Sequence, residues 1–189
     1  TTAKFFFSQS ALLVRLKGEL PAEAMAKPAE QESIVLYLSP PSPGNVSYRF
    51  TVGPRDDSKT DAASGFITDA MDPRHGQYDP DWNGDWKYES RLEPKKNRWL
   101  GLITIPFKTL GIEPPAPASF WRGNLGRVHV IGKDQLEQSA WSTAAGVRRM
   151  DDRNGFGEMV FAGDGVKKKA EAQRNPLSEL RENLYRASF

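Results

Sequence analysis

The chain has 189 residues, which is long enough for one domain with a buried core. Its formal net charge is +2, so composition gives no electrostatic drive toward nucleic acid or an anionic membrane. The absence of cysteine excludes a disulfide scaffold, a zinc–thiolate site and a cysteine nucleophile. The 16 glycines and 14 prolines are typical of short strands joined by many turns.

The ends and the hydropathy of the sequence bear on where the protein acts. The chain starts at Thr1 without a methionine or a charged-then-apolar leader, so we expect a mature product or an excised fragment. No run approaches the roughly 18 apolar residues of a membrane helix, so no membrane span is predicted. Lack of cysteine is compatible with export, and we expect a periplasmic, cell-surface or secreted location.

Alternating apolar residues predict strands in the first half of the chain. Leu12, Val14 and Leu16 share one face of the first clear strand. Predicted strands are residues 11–18, 33–38 and 46–52, the last two as an antiparallel pair. Residues 4–7 are a further strand or an adhesive terminus, 21–28 a loop with one helical turn, and 53–80 mostly loop.

The second half continues the same pattern. Predicted strands are residues 86–92, 98–105, 120–130 and 157–161, with one helical turn at 107–111 capped by Gly111. The sequence therefore predicts an all-β fold: a two-sheet antiparallel β-sandwich, jelly-roll-like, over residues 1–165.

The composition changes in residues 166–189, which form a basic tail. Leu177, Leu180 and Leu184 recur at helical spacing after the cap pair Asn175-Pro176. We predict a short amphipathic helix over residues 176–187. It either packs on its own sandwich or docks on a protein partner.

An ordered series of motifs resembles the family 9 carbohydrate-binding-module-like domains. The matching residues are, in chain order, Trp99, Ile105-Pro106-Phe107, Leu110-Gly111, Trp121-Arg122, Asn124 and Arg127. Ser139-Ala140-Trp141-Ser142 and residues 156–161 are similar to the family's ending, and residues 32–40 to an earlier strand and turn. The resemblance covers about residues 10–162. It implies a β-sandwich of the kind attached to xylan-degrading enzymes, with poly- or oligosaccharide as ligand.

Aromatic faces and polar side chains are the groups that bind sugars. Trp82 lies in a polar loop and is predicted as the exposed platform, with Trp86 or Tyr78 as a second wall. Alternatively, these aromatic residues cover the end of a sheet. Trp99 is predicted to be core, whereas Trp121 and Trp141 are equally compatible with core and rim.

Three polar residues lie on the predicted strand 120–130. We expect Arg122, Asn124 and Arg127 to alternate along it and share one face. They form either the polar floor of a ligand site or a structural hydrogen-bond network.

The same tryptophan loop matches the first half of an EF-hand calcium loop. The candidate ligands are Asp79, Asp81, Asn83 and Asp85, with Gly84 at the sharp turn. The twelfth position is Ser90 instead of glutamate, so an acidic turn is the alternative. Structural calcium in the resembled family adds support for a Ca²⁺ site.

Signals for catalysis are poor. The two histidines are predicted as a solvated His75 and a half-buried His129. No Gly-x-Ser-x-Gly elbow, phosphate loop or His-Glu-x-x-His motif is present. Asp151-Asp152 could serve glycoside hydrolysis, but their charged loop favours a solvated turn. We expect no enzyme activity.

Three functions remain open. The leading one is a non-catalytic carbohydrate-binding domain. The second is a structural or interaction subunit of a larger assembly, favoured by the terminal helix and by the apolar Val35 and Leu36 where the family often has an acidic residue. The third is b-type haem held between a methionine and a lysine or histidine, with Met71, Met150 or Met159 as candidates. Haem is not expected, because methionine in a sandwich is usually core filling.

Overall fold

The computed structural model describes residues 1–26, 32–42, 46–54, 63–66, 71–132, 135–142 and 149–162. Within these ranges the chain forms β-strands joined by turns of 3-10 helix. The strands are β1 (Thr2–Phe7), β2 (Ala11–Glu19), β3 (Glu32–Ser39), β4 (Tyr48–Val52), β5 (Ala63–Phe66), β6 (Tyr78–Asp79), β7 (Lys87–Glu93), β8 (Arg98–Pro106), β9 (Phe120–Gly132), β10 (Gln135–Ala140) and β11 (Gly157–Val160). The 3-10 turns are Ala22–Ala26, Pro94–Lys96, Phe107–Leu110 and Arg153–Gly155.

The strands form two antiparallel sheets, so the predicted sandwich is confirmed. The smaller sheet has the order β1-β2-β8-β7, and the larger has the order β10-β9-β3-β4-β5-β6, with β11 beside β9. The predicted antiparallel pair is the β3–β4 pair. The short strands β5, β6 and β10 were not predicted. Side chains of β10 are almost all exposed, so no apolar alternation signals it.

The main core lies between the two sheets. Leu12, Val14 and Leu16 of β2 are buried, as their alternation predicts. Two tyrosine hydroxyls connect the layers: Tyr48 donates to the Leu110 carbonyl at 3.0 Å, and Tyr88 donates to the Gly53 carbonyl at 2.6 Å. Buried hydroxyls that reach carbonyls remove a desolvation cost, so these contacts fix how the layers align.

A second, smaller apolar cluster covers the outer face of the larger sheet. Ile34, Leu36 and Leu38 of β3 point to the core, whereas Val35 and Tyr37 point outward and are buried too. Phe156 completes the outer cluster, and Tyr78, Val128 and Met150 pack against it. Burial on both faces explains why β3 is a continuous apolar run instead of an alternating one.

The chain divides into two compact units: Thr1–Pro114 with Trp121–Met159, and Pro115–Phe120 with Val160–Phe189. In the second unit, the Ala118 amide donates to the Phe161 carbonyl at 2.8 Å, and the Phe161 amide donates to the Ser119 carbonyl at 2.9 Å. The predicted tail 166–189 and its helix 176–187 lie outside the described residues. Among the helices of the described ranges, none is long and apolar enough to cross a membrane.

Candidate functional site

A cleft of about 490 Å³ opens on the outer face of the larger sheet. It lies where β3 and β9 meet the turn that precedes β11. The lining residues are Ser39, Arg122, Asp151, Asp152, Arg153, Asn154 and Phe156. This set combines guanidinium, carboxylate, amide and hydroxyl groups with one aromatic residue, the polar mixture that hydrogen-bonds to hydroxylated ligands.

Asn124 connects the segments at Ser142 and Met150 to the larger sheet through hydrogen bonds. Its side chain is 2% exposed. The amide nitrogen donates to the carbonyls of Ser142 at 3.0 Å and Met150 at 3.1 Å. The amide oxygen accepts from the Ser142 backbone N–H at 3.0 Å. Asn124 is therefore a structural network residue, one of the two alternatives left open by the sequence, and its amide is not available in the cleft.

Two aspartates of the cleft already have protein partners. Asp151 accepts a forked pair of hydrogen bonds from Arg149, at 2.9 Å from Nε and 2.6 Å from Nη2. These bonds, with the charge of Arg149, lower the pKa of Asp151. Asp152 caps the following 3-10 turn by accepting from the Asn154 backbone N–H at 2.9 Å.

Arg122 differs from the aspartates because none of the acidic side chains that the structure describes pairs with it. It is exposed, and its only hydrogen bond within the described residues goes from Nη2 to the Phe156 carbonyl at 3.3 Å. Most of its N–H groups therefore face the cleft or solvent, which leaves a positive, planar donor at the site.

Tyr78, a predicted site residue, belongs to the aromatic border of this face. Its ring lies 6.2 Å from that of Tyr37, and the Arg49 guanidinium sits 4.9 Å above it. Tyr37 lies 5.7 Å from Phe156. Burial raises the pKa of Tyr37 to about 12, and burial also raises the pKa of Tyr78. Both phenols are therefore neutral at physiological pH.

The predicted platform, Trp82, is not an open surface. It is partly buried, its ring centroid lies 5.0 Å from that of Tyr48, and it covers Gly65 of β5. Trp86, the proposed second wall, is 4% exposed. The physical reason is that both indoles close the edge of the core beside β4, which is the sheet-covering role the sequence left as an alternative.

Among the five tryptophans, Trp141 is the exposed one, at 51%. Trp99 is fully buried as predicted, and Trp121 belongs to the core. Trp141 packs on Gly157, the residue after Phe156. Consecutive residues of an extended chain point to opposite sides, so Trp141 lies across this segment from the cleft.

The expectation that Arg127 shares a face with Arg122 and Asn124 is wrong. In the β3–β9 register, Arg127 pairs with Ile34, whereas Asn124 pairs with Tyr37. An odd spacing of three residues places Arg127 on the opposite, inner face. There it forms a forked ion pair with Glu32, whose side chain is completely buried.

His129 joins the same inner-face group. Its Nδ1 lies 3.0 Å from Oε2 of Glu32. Its side chain is 17% exposed, which agrees with the prediction that His129 is half-buried. A fully buried carboxylate needs such partners, because an unpaired buried charge is strongly unfavourable. Glu32, Arg127 and His129 therefore form a structural polar network.

Three of the four predicted calcium ligands, Asp79, Asn83 and Asp85, contact protein donors through their side chains. Asp79 accepts from the Asp81 backbone N–H at 3.0 Å, Asn83 accepts from the Trp86 indole N–H at 3.0 Å, and Asp85 pairs with Lys108 at 3.2 Å. Across the described ranges, no three acidic or histidine side chains form a metal cluster. Calcium binding by this loop stays a prediction.

The haem candidates lie apart. Met71 is 88% exposed, Met150 packs on the outer cluster, and Met159 lies against Gly123. Gly123 and the outer cluster are on opposite faces of the sheet, so Met150 and Met159 lie on opposite faces, and haem binding stays untested.

The sequence missed Asp151, Asp152 and Arg153 as site residues. Their sequence favours a solvated turn, since a run of charges is usually a surface loop. The signal that could have found them is the cap pair Asp152–Asn154 directly before an aromatic residue and the closing strand, which holds the turn against the sheet.

Comparison with known proteins shows that the fold of this chain is similar to that of solved structures. No protein-family model matches the chain, and no curated protein matches it significantly in sequence. One similar solved structure is a Bacteroides uniformis protein assigned by inference to carbohydrate binding, at 14% identity and a TM-score of 0.57, covering 84% of this chain and 77% of that one. Another is a family 9 carbohydrate-binding module from Caldicellulosiruptor kristjanssonii with glucose, at 13% identity and a TM-score of 0.49, covering 85% and 75%. The first likeness agrees with the sandwich predicted from the sequence.

Proposed function

We propose that this chain is a non-catalytic carbohydrate-binding domain whose ligand lies in the cleft between Arg122 and the 151–156 turn. The observation that carries the proposal is the lining of that cleft, where charged and amide groups surround a space of about 490 Å³. Sugar hydroxyls both donate and accept, so they suit a surface that offers both kinds of partner. The fold likeness to a protein assigned to carbohydrate binding and the motif resemblance support the same class.

The electrostatics of the cleft favour binding over hydrolysis. Glycoside hydrolysis requires one carboxylic acid with a raised pKa to protonate the leaving oxygen. The pKa of Asp151 is instead lowered by its bonds to Arg149. Asp151 is therefore a permanent acceptor at neutral pH, which suits a site that holds hydroxyl groups without transforming the ligand. An exported location, as expected from the sequence, would give such a domain access to glycans.

The test is calorimetric titration with xylo-, cello- and malto-oligosaccharides and with oligogalacturonate, using matched variants. Asp152→Asn keeps the oxygen that caps Asn154 but removes the charge, and we expect about tenfold weaker binding. Asp72→Asn is the control, because Asp72 caps Arg74 in the same way at 2.8 Å but lies in another loop.

The outcomes distinguish a wrong position of the site from a wrong function. Binding that is lost in Asp152→Asn and kept in Asp72→Asn supports the cleft. Loss in Trp141→Ala with no effect of Asp152→Asn would keep the function and move the site to the other side of β11. Absence of binding to any oligosaccharide would overturn the proposed function.

A second candidate is an interaction domain, favoured by β1. This strand is the edge of the smaller sheet, and its residues Phe5, Phe6 and Phe7 are 39%, 47% and 39% exposed. Exposed apolar edge strands commonly pair with another chain. Light scattering across a concentration series tests this candidate: a single mass that is unchanged by Phe6→Lys would remove it.

A further inference from the structure

The charges around the cleft are unequal. Arg122 and Arg153 line the cleft, and Arg149 and Arg49 lie close enough to Asp151 to act on its charge. Against these cations, the cleft contributes the carboxylates of Asp151 and Asp152. Among the described residues, four guanidinium groups therefore line the cleft or lie near Asp151, against two carboxylates that line it, although the whole chain is close to neutral.

The protein already engages part of the acceptor capacity of the two acids. The forked contact from Arg149 neutralises Asp151 in place, with N–O distances of 2.9 and 2.6 Å. Asp152 gives one oxygen to the backbone of Asn154. Because Arg149 balances the charge of Asp151, the electrostatic attraction of the cleft is for negatively charged groups, while the remaining lone pairs of both carboxylates can accept from hydroxyl groups.

Arg122 supplies the matching donor. Its bond to the Phe156 carbonyl at 3.3 Å uses one N–H and pairs it with a neutral oxygen, so no carboxylate in the described residues compensates its charge. That bond also restrains the guanidinium at the mouth of the cleft. A restrained planar fork binds a carboxylate through two parallel hydrogen bonds, which an ammonium group cannot do.

We propose that the ligand of this cleft is an acidic saccharide, one with a uronic-acid carboxylate that pairs with Arg122. This inference rests on the proposed carbohydrate-binding function and names its substrate class. The neighbouring acceptors at Asp151 and Asp152 then hold hydroxyl groups of the same sugar, while the surplus guanidinium charge excludes cationic ligands. Binding is accordingly weakened by salt, because added ions screen the attraction.

The experiment compares trigalacturonate with xylotriose by calorimetry on the whole chain. We expect the acidic trimer to bind at least about tenfold more tightly, and Arg122→Gln to remove that preference. Arg122→Lys keeps the charge without the fork and is expected to recover only part of it. Arg15→Gln, an exposed arginine on β2, is the control and should change nothing. Thermal unfolding of each variant confirms that it is folded.

Four results would support or overturn the proposal that the ligand is an acidic saccharide. A preference for trigalacturonate that depends on Arg122 supports the inference. Equal or tighter binding of xylotriose overturns it while the proposed function stands. Absence of binding to both trimers, and to the other oligosaccharides, overturns both. Equal binding of a glutamate trimer peptide would show attraction to charge alone and would also overturn the acidic-sugar assignment.

Discussion

Replacing Asn124 by alanine tests whether this residue builds the site or binds the ligand. The substitution removes three hydrogen bonds to distant segments: two to the carbonyls of Ser142 and Met150, and one from the Ser142 amide. A net contribution of about 1 kcal/mol each gives a loss of about 3 kcal/mol. Ser142 and Met150 are only partly buried, so water replaces some of these bonds, and we expect about 2–3 kcal/mol.

Urea unfolding followed by circular dichroism measures this change. We expect the midpoint to fall by about 1 M at an unchanged slope, and the melting temperature to fall by about 5–10 °C. Asn154→Ala is the control. Asn154 is exposed, and removing its side chain should cost less than about 0.5 kcal/mol. If Asn124→Ala retained full stability but lost ligand binding, the structural role assigned here would be refuted.

Three more predictions concern the core and its pH dependence. Glu32→Gln leaves the Arg127 guanidinium that contacts this buried acid without its counter-charge, so we expect about 2–4 kcal/mol of destabilisation in urea, against almost none for the exposed control Glu23→Gln. Trp82→Ala should cost about 2 kcal/mol because its ring covers the core, whereas Trp141→Ala should cost much less; equal losses would contradict the burial argument. Burial raises the pKa of Tyr37 from 10.0 to about 12, so its contribution to stability is complete below pH 10 and is lost as the pH rises through 12. An alkaline stability titration that is identical in Tyr37→Phe would exclude this cause.

The fold was largely predictable because its strands carry local signals. The apolar positions of β2 and β4 alternate at period two, and the glycine after the 107–110 turn adopts the left-handed conformation (φ 64°) that the cap prediction requires. Strands β5 and β6 have four and two residues, too few for a periodic pattern to appear. Their existence depends on pairing with neighbours that are distant in sequence.

The sequence indicated few residues of the candidate site and not their arrangement. It indicated that Trp99 is core and that a strand with Arg122 and Asn124 matters. The sequence predicts Trp82 to be exposed and leaves Trp141 equally compatible with core and rim. Only the packing of the sheets buries one against Tyr48 and leaves the other exposed.

There is a physical reason why the local sequence predicts some features and only the tertiary structure determines others. Local pattern specifies strands and turns, because backbone preference and alternation act over a few residues. The cleft is made by residues from β3, β9 and the 151–156 turn, which meet only when strand register and the Asn124 bonds bring them together. Sequence alone fixed the all-β class and the central strands, whereas the tertiary structure decided which charged and aromatic side chains share a surface.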